Sequence, residues 1–218
     1  MNYLAHARDV LDRPWALAGA VLPDWIRIVA PRSRIRPWMV DGVAAAPGSP
    51  RAGIHEGLAR HFADDAWFHA SPAFRETTGR IAALIRERWP DRPDRRMRAS
   101  FYAHVLLEML LDAWLVGARP EAAEAFALAV QSLDRDRLDA EVAAIAPRPV
   151  EPLGPLLDRF GTPYVLAGYG DDAEVVRRLG IMGRRVRPPD LPDGVERIVA
   201  VSRGIVAARA RELLTPPA

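Results

Sequence analysis

The sequence predicts an all-α protein, a compact multi-helix bundle, and three observations carry that expectation. Apolar residues recur at spacings of three and four along most of the chain, and few stretches alternate strictly between apolar and polar. The 20 prolines fall mostly between these periodic segments, as punctuation. Half of the 218 residues are hydrophobic, which is ample for the core of one domain.

In chain order, the spacing predicts a short helix over 3–11 and an apolar helix over 15–29. An irregular stretch rich in Pro, Gly and Arg follows over 31–50. Helices are expected over 51–69 and 72–88, and a long one over 94–117. Ser71-Pro72 and Asp94 suit helix starts, because a short polar side chain can accept from the first free N–H groups. Gly117 followed by Pro120 closes the long helix. Two helices follow over 120–132 and 134–145, then a loop, "APRPVEP", over 146–152. Shorter helices are expected over 153–160 and 163–168, and another over 171–184. A Pro-rich loop over 187–194 precedes a terminal helix over 195–214. One domain, 1–218, is expected. Its last part, 152–218, is a packed helical subregion that contains no histidine and does not fold alone.

Composition excludes several chemistries. There is no cysteine, so disulfides, thiolate nucleophiles and Cys-ligated metals are ruled out. Any metal must be held by His, Asp, Glu or carbonyl oxygen. All 30 basic residues are arginine, and the net charge is +2 with a pI of about 9.5. Arginine clusters at 32–38, 92–98 and 184–188, which suits an anionic partner or substrate. No nucleic-acid-binding module has its signature here, so nucleic acid is not an expected partner. Charges interrupt the apolar runs before the ~20 residues of a bilayer span, and the N-terminus lacks the pattern of a secretory signal. A cytoplasmic protein without a membrane span is expected, its mean hydropathy being −0.07.

Two stripes of ionisable residues stand out against this apolar background. In "HVLLEMLLDAWLV", His104, Glu108 and Asp112 step by four along a helix that is otherwise apolar nearly all round. In "GLARHFADDAWFHASP", His61, Asp65 and His69 repeat the spacing, with Asp64 adjacent. Gly57, one turn before His61, can admit another backbone. An unpaired buried carboxylate costs several kcal/mol, so these acids need positive partners or a shared proton. Two such stripes facing one point would suit Mn²⁺, Fe²⁺, Zn²⁺ or Mg²⁺. The plain alternative is a metal-free His–carboxylate network, buried in a non-catalytic helical binding protein. His6 and Asp24 are further candidates, and Asn2 or His6 can also cap the first helix.

The stretches "MNYLAH", "GAVLPDW" (19–25, with Asp24), "GLARHFADD" (57–65) and "EMLLDAWL" (108–115) together resemble the acyl carrier protein phosphodiesterase family. That family is a divergent relative of the HD-domain metal phosphohydrolases. Gly57, His61 and Asp65 fall on its Gly-x-x-x-His-x-x-x-Asp element, and Glu108 and Asp112 on its Asp-x-x-x-Asp-His-Phe-Leu element. Ala113 replaces the histidine of that later element, and His69 stands where the family often has aspartate.

The resemblance implies an HD-domain-like bundle that hydrolyses a phosphodiester with Mn²⁺ or Mg²⁺, releasing 4′-phosphopantetheine from the serine of holo acyl carrier protein. On that reading His61, Asp65, His104 and Asp112 are the expected metal ligands. Asp24, Glu108 and His69 complete the shell, orient a ligand or act as acid or base, with His6 and Asn2 as additional groups. Arg27, Arg34, Arg36 and Arg98 are the expected docking rim for an acidic carrier protein. A small-phosphoester or nucleotide hydrolase is the nearest alternative. A di-iron bundle would need Glu-x-x-His pairs, which the chain lacks.

Overall fold

The structure is a computed structural model that describes residues 1–40, 45–88, 95–183, 191 and 194–216, the side chains of 95–97 excepted. The expected helix start at Asp94, residues 92–94 of one arginine cluster, the 184–188 cluster and most of the 187–194 loop lie outside the described residues. Among the described residues there are twelve α-helices and no strand. They are α1 (Tyr3–Ala7), α2 (Pro14–Val29), α3 (Pro50–Ala70), α4 (Pro72–Glu87), α5 (Arg95–Ala118), α6 (Glu121–Gln131), α7 (Arg135–Ile145), α8 (Gly154–Phe160), α9 (Tyr164–Ala167), α10 (Asp172–Gly183), α11 (Val195–Ala207) and α12 (Ala210–Leu214). Short 3₁₀ turns lie at Pro37–Met39 and Gly168–Gly170.

Two helices are shorter than the spacing predicts. The first stops at Ala7 and gives way to turns closed by Val10 N to the Ala7 carbonyl at 2.9 Å and Arg13 N to the Val10 carbonyl at 3.0 Å. Arg13, kept out of the α region by the Pro14 ring, sits at φ −123°, ψ 85°. The terminal helix breaks at Arg209 (φ −119°, ψ 3°), whose guanidinium bonds Glu76 and Glu212. The other starts follow local chemistry. Ser71 Oγ accepts from Phe74 N at 3.1 Å, and Asp134 Oδ1 accepts from Arg137 N at 2.9 Å.

The chain forms two compact units, each made of two segments. The first comprises Met1–Ala66 and Arg119–Val165, the second Trp67–Ala118 and Leu166–Ala218. None of these boundaries falls in the 146–152 loop.

In the first unit α1, α2, α6 and α8 pack around Leu4, Leu17, Trp25, Phe126 and Phe160, all buried. Trp25 and Phe160 have ring centroids 5.5 Å apart, and Tyr3 meets Phe160 edge-on at 4.6 Å. Burying each such large side chain stabilises the fold by about 2–3 kcal/mol. Glycines bring α2 and α3 backbone to backbone. A Cβ at Gly57 would lie 2.1 Å from the Ala16 carbonyl oxygen, and one at Gly19 would lie 2.1 Å from that of Ile54. No residue but glycine fits either place without moving a main chain.

In the second unit α4, α5, α10 and α11 enclose Phe68, Ile81, Leu106, Leu107, Leu179 and Val199. The Arg98–Ala118 part of α5 is long and apolar enough to cross a membrane by length and composition, with hydropathy 1.4. Charges therefore do not break this run as the sequence reading expects. Its window is 56% buried within the protein, the pattern of a core helix.

Candidate functional site

Among the described residues, the ionisable stripes contribute to two separate groups of candidate ligands. Their donor atoms gather in two groups, one within each unit: His6, His61 and Asp65 in the first, His69, His104 and Glu108 in the second. Within each group the donor atoms lie within 4.8 Å of one another. The reason is helical phase. Residues eight apart on one helix differ by about 80°, so His61 and His69 diverge, as do His104 and Asp112.

In the first unit the Gly57 approach sets the geometry. With α3 pressed onto α2, His61, one turn on, reaches the Ala20 carbonyl from Nδ1 at 2.8 Å. A carbonyl only accepts, so Nδ1 carries the hydrogen. Burial, with the neighbouring His6 in support, pushes His61 down to about 3 against the attraction of Asp65. The ring is therefore neutral, and its Nε2 is a bare lone pair. That lone pair faces Asp65 Oδ2 at 3.6 Å.

His6, at 0% exposure, stacks on His61 with centroids 4.0 Å apart. Its Nε2 lies 3.4 Å from Asp65 Oδ1 and its Nδ1 3.8 Å from Asp64 Oδ2. Both ring nitrogens are buried, and neither makes a hydrogen bond. Burial pushes His6 down, but Asp64 and Asp65, with a contribution from Asp24, outweigh it and its pKa ends above the ordinary 6.5. Burial pushes the Asp65 carboxyl up, yet His6, the Met1 amine and His61 hold it well below the usual carboxylate range. The Met1 amine donates to Asp65 Oδ1 at 2.7 Å. Asp64 is neutralised separately. Arg8 Nη1 reaches it at 3.3 Å and Arg60 Nε at 3.7 Å, while Arg60 Nε also donates to the His6 carbonyl at 3.2 Å.

Three residues thus converge, offering two imidazole Nε2 atoms and the two oxygens of one carboxylate. The separations of 3.4 and 3.6 Å are too long for strong hydrogen bonds. They match the spacing of donors around a tetrahedral ion with bonds of ~2.0–2.2 Å, which is about 3.3–3.6 Å. The donors fit a divalent ion on a second count: each outer nitrogen faces an acceptor, Ala20 O or Asp64, as metal-ligating histidines characteristically do. Asn2 adds a buried Nδ2 without a hydrogen-bond partner.

The second group is built on the end of α3 and the middle of α5. Glu108 Oε1 lies 3.0 Å from His104 Nε2 and 3.7 Å from His69 Nε2. Burial pushes Glu108 up, but the hydrogen bond of His104 and the nearby His69 ring help hold it well below the carboxylate range. Asp112, fully buried on α5, is in neither group among the described residues.

The structure therefore redistributes the expected ligands. His61 and Asp65 share one group, with His6 as a central member and not an accessory. His104 falls in the other group with Glu108 and His69. Asp64, Ala20 O and the Arg8–Arg60 pair are contributors that the spacing does not single out. Only the adjacency of Asp64 to Asp65 hints at them.

Arg27, Arg34 and Arg36 are exposed and make no ion pair among the described residues. After a turn at 31–32, residues 33–36 form no regular element: Ser33 and Ile35 are buried while Arg32, Arg34 and Arg36 face solvent, and Ser33 Oγ donates to the Arg148 carbonyl at 3.2 Å. Arg36 lies over the exposed Trp38 ring at 5.9 Å. Arg98, on α5, is half-buried.

No family model, no curated protein and no solved structure matches the chain.

Proposed function

We propose that the chain is a divalent-metal-dependent phosphodiester hydrolase whose ion is held by His6, His61 and Asp65. One observation carries the reading. The bare Nε2 of His61 and the half-buried carboxylate of Asp65, both acceptors, face each other at 3.6 Å, an arrangement that calls for a cation between them. Two imidazoles and one carboxylate suit Mn²⁺, Fe²⁺ or Zn²⁺ better than Mg²⁺, which takes mostly oxygen donors. Support also comes from the motif stretches: residues 2–6 and 57–65 supply the group, and Asp24 acts electrostatically on His6.

A divalent ion there supplies an acidified water and neutralises charge on phosphoryl oxygens. The chain's own residues do the rest. The Ala20 carbonyl fixes the His61 tautomer, Asp64 orients His6, and Arg8 with Arg60 keeps Asp64 from drawing the ion away. Asp24 is the candidate proton carrier. The substrate best supported is a phosphodiester on an acidic carrier protein, which the exposed Arg27, Arg34 and Arg36 would attract. The family resemblance makes that the release of 4′-phosphopantetheine.

A metal-free polar network is the competing reading, favoured by the Met1 amine, which already neutralises Asp65 at 2.7 Å. Purified protein assayed with Mn²⁺ on holo acyl carrier protein, and on a panel of small phosphodiesters and nucleotides, separates the possibilities. The hydrolase reading expects turnover that EDTA abolishes, Mn²⁺ restores and Asp65→Ala lowers at least 100-fold. Turnover of the small esters alone would move the substrate away from the carrier protein. No turnover on any substrate, with folded metal-loaded protein, would contradict the reading.

A further inference from the structure

We propose that His69, His104 and Glu108 form a second divalent-cation site, selective for a first-row transition ion. The three residues come from the last turn of α3 and the middle of α5, all within the second unit. Their donor atoms lie within 4.8 Å of one another, and Glu108 Oε1 is already 3.0 and 3.7 Å from the two Nε2 atoms. Bonds of ~2.0–2.2 Å to one ion need donors about 3.3–3.6 Å apart, so side-chain shifts of a few tenths of an ångström close the shell. The Nε2 of His69 is buried and makes no hydrogen bond, although the ring as a whole is 35% exposed.

The rings are held in place before any ion arrives. Phe74 meets His69 edge-on at 4.9 Å and 84°, and His104 at 5.1 Å and 80°. One hydroxyl sets both sides of this wedge: Ser71 Oγ donates to the Phe68 carbonyl at 2.8 Å and accepts from Phe74 N at 3.1 Å. The α3–α4 turn therefore fixes His69 and Phe74 together. Fixed rotamers of this kind lower the ordering cost of binding.

Ligand type defines the ion. Two imidazoles and one carboxylate are the donors of open Zn²⁺ sites and of 2-His-1-carboxylate Fe²⁺ sites, and they are poor for Mg²⁺ or Ca²⁺. His69 and His104 are 35% and 39% exposed. That leaves room for water or an anionic oxygen as a further ligand. A second ion here requires nothing of the hydrolase reading.

The test is Co²⁺ titration of EDTA-stripped protein, followed by its visible d–d absorption and by bound metal per chain. The site predicts that wild type takes up two equivalents, that the double variant His69→Gln, His104→Gln takes up one, and that Asp65→Ala keeps the equivalent the double variant lost. Excess Mg²⁺ should not displace it. Equal cobalt content in wild type and the double variant would overturn the site. Wild type and the double variant decide it even where Asp65→Ala fails to fold, because His69 and His104 are exposed enough to replace without hollowing the core. One equivalent in wild type, lost in the double variant, would uphold this site and remove the one in the first unit.

Discussion

The carboxylates of Asp65, half-buried, and Glu174, buried, meet their positive partners in opposite ways. In the second unit Glu174 is held by guanidinium N–H groups, Arg177 at 2.6 Å and Arg178 at 2.7 Å, and Arg178 stacks 4.4 Å from the Tyr169 ring centroid. Every distance is that of a made, charge-assisted hydrogen bond. In the first unit Asp65 is approached by two imidazole Nε2 atoms at 3.4 and 3.6 Å, and one of them has no hydrogen to give. A structural ion pair closes on itself, whereas a group waiting for a ligand leaves its donors aimed at a shared gap. The fold itself supplies both cases, so each serves as the control for the other.

The largest expected effect lies in the scaffold that aims His61. Gly57→Ala would put a methyl 2.1 Å from the Ala16 carbonyl oxygen, so we expect a loss of about 3 kcal/mol or more in chemical denaturation. Gly79→Ala, on α4 of the second unit, meets nothing within 4 Å and should stabilise by about 0.5–1 kcal/mol. Equal effects from the two would sever the link between the close backbone approach and the Asp65 group.

Glu174→Gln tests the closed ion pair. The hydrogen bond of Arg177, with Arg178 in support and burial opposing, brings Glu174 down to about 2 from 4.5. The native state refuses a proton that the unfolded chain takes up as pH drops below about 4.5. The stabilisation is therefore fully present above pH 4.5 and is lost as pH falls toward 2. At ~1.4 kcal/mol per unit it amounts to about 1–3 kcal/mol. Stability measured against pH should lose that slope in the variant, while metal uptake stays unchanged. A variant that also lost metal would break the contrast between the two carboxylates.

Phe74→Leu sharpens the comparison between the two groups of donors. The stability loss should be about 1 kcal/mol. Co²⁺ affinity should weaken roughly tenfold for one equivalent and stay the same for the other, since the wedge serves only His69 and His104. Ser71→Ala should have the smallest effect, about 1 kcal/mol or less, read as a small shift in thermal midpoint.

The helices were legible because their cues are local. The Ser71-Pro72 start, the Gly117-Pro120 end and the three-and-four spacing each act within a few residues, and the observed bounds follow them closely. Gly57 and His61 were legible for the same reason, one turn apart on a single helix. The grouping of donors was not. His6 sits on a five-residue helix and meets Asp65 across 59 positions, an outcome of packing that no periodicity encodes. Steps of four also drift by about 40° each, so a stripe of three cannot serve one point. That drift parts Asp112 from His104, which were expected to bind the same ion, among the described residues. The expected hydrolase chemistry rests on the residues and on the resemblance of their motifs.

The most direct measurement is the Mn²⁺ content of wild-type and His61→Gln protein after equilibrium dialysis, with folding checked by circular dichroism. The account predicts that the folded variant binds one equivalent less than wild type. Equal uptake by the two, or a folded wild type that takes up no Mn²⁺, Fe²⁺ or Zn²⁺, would contradict it.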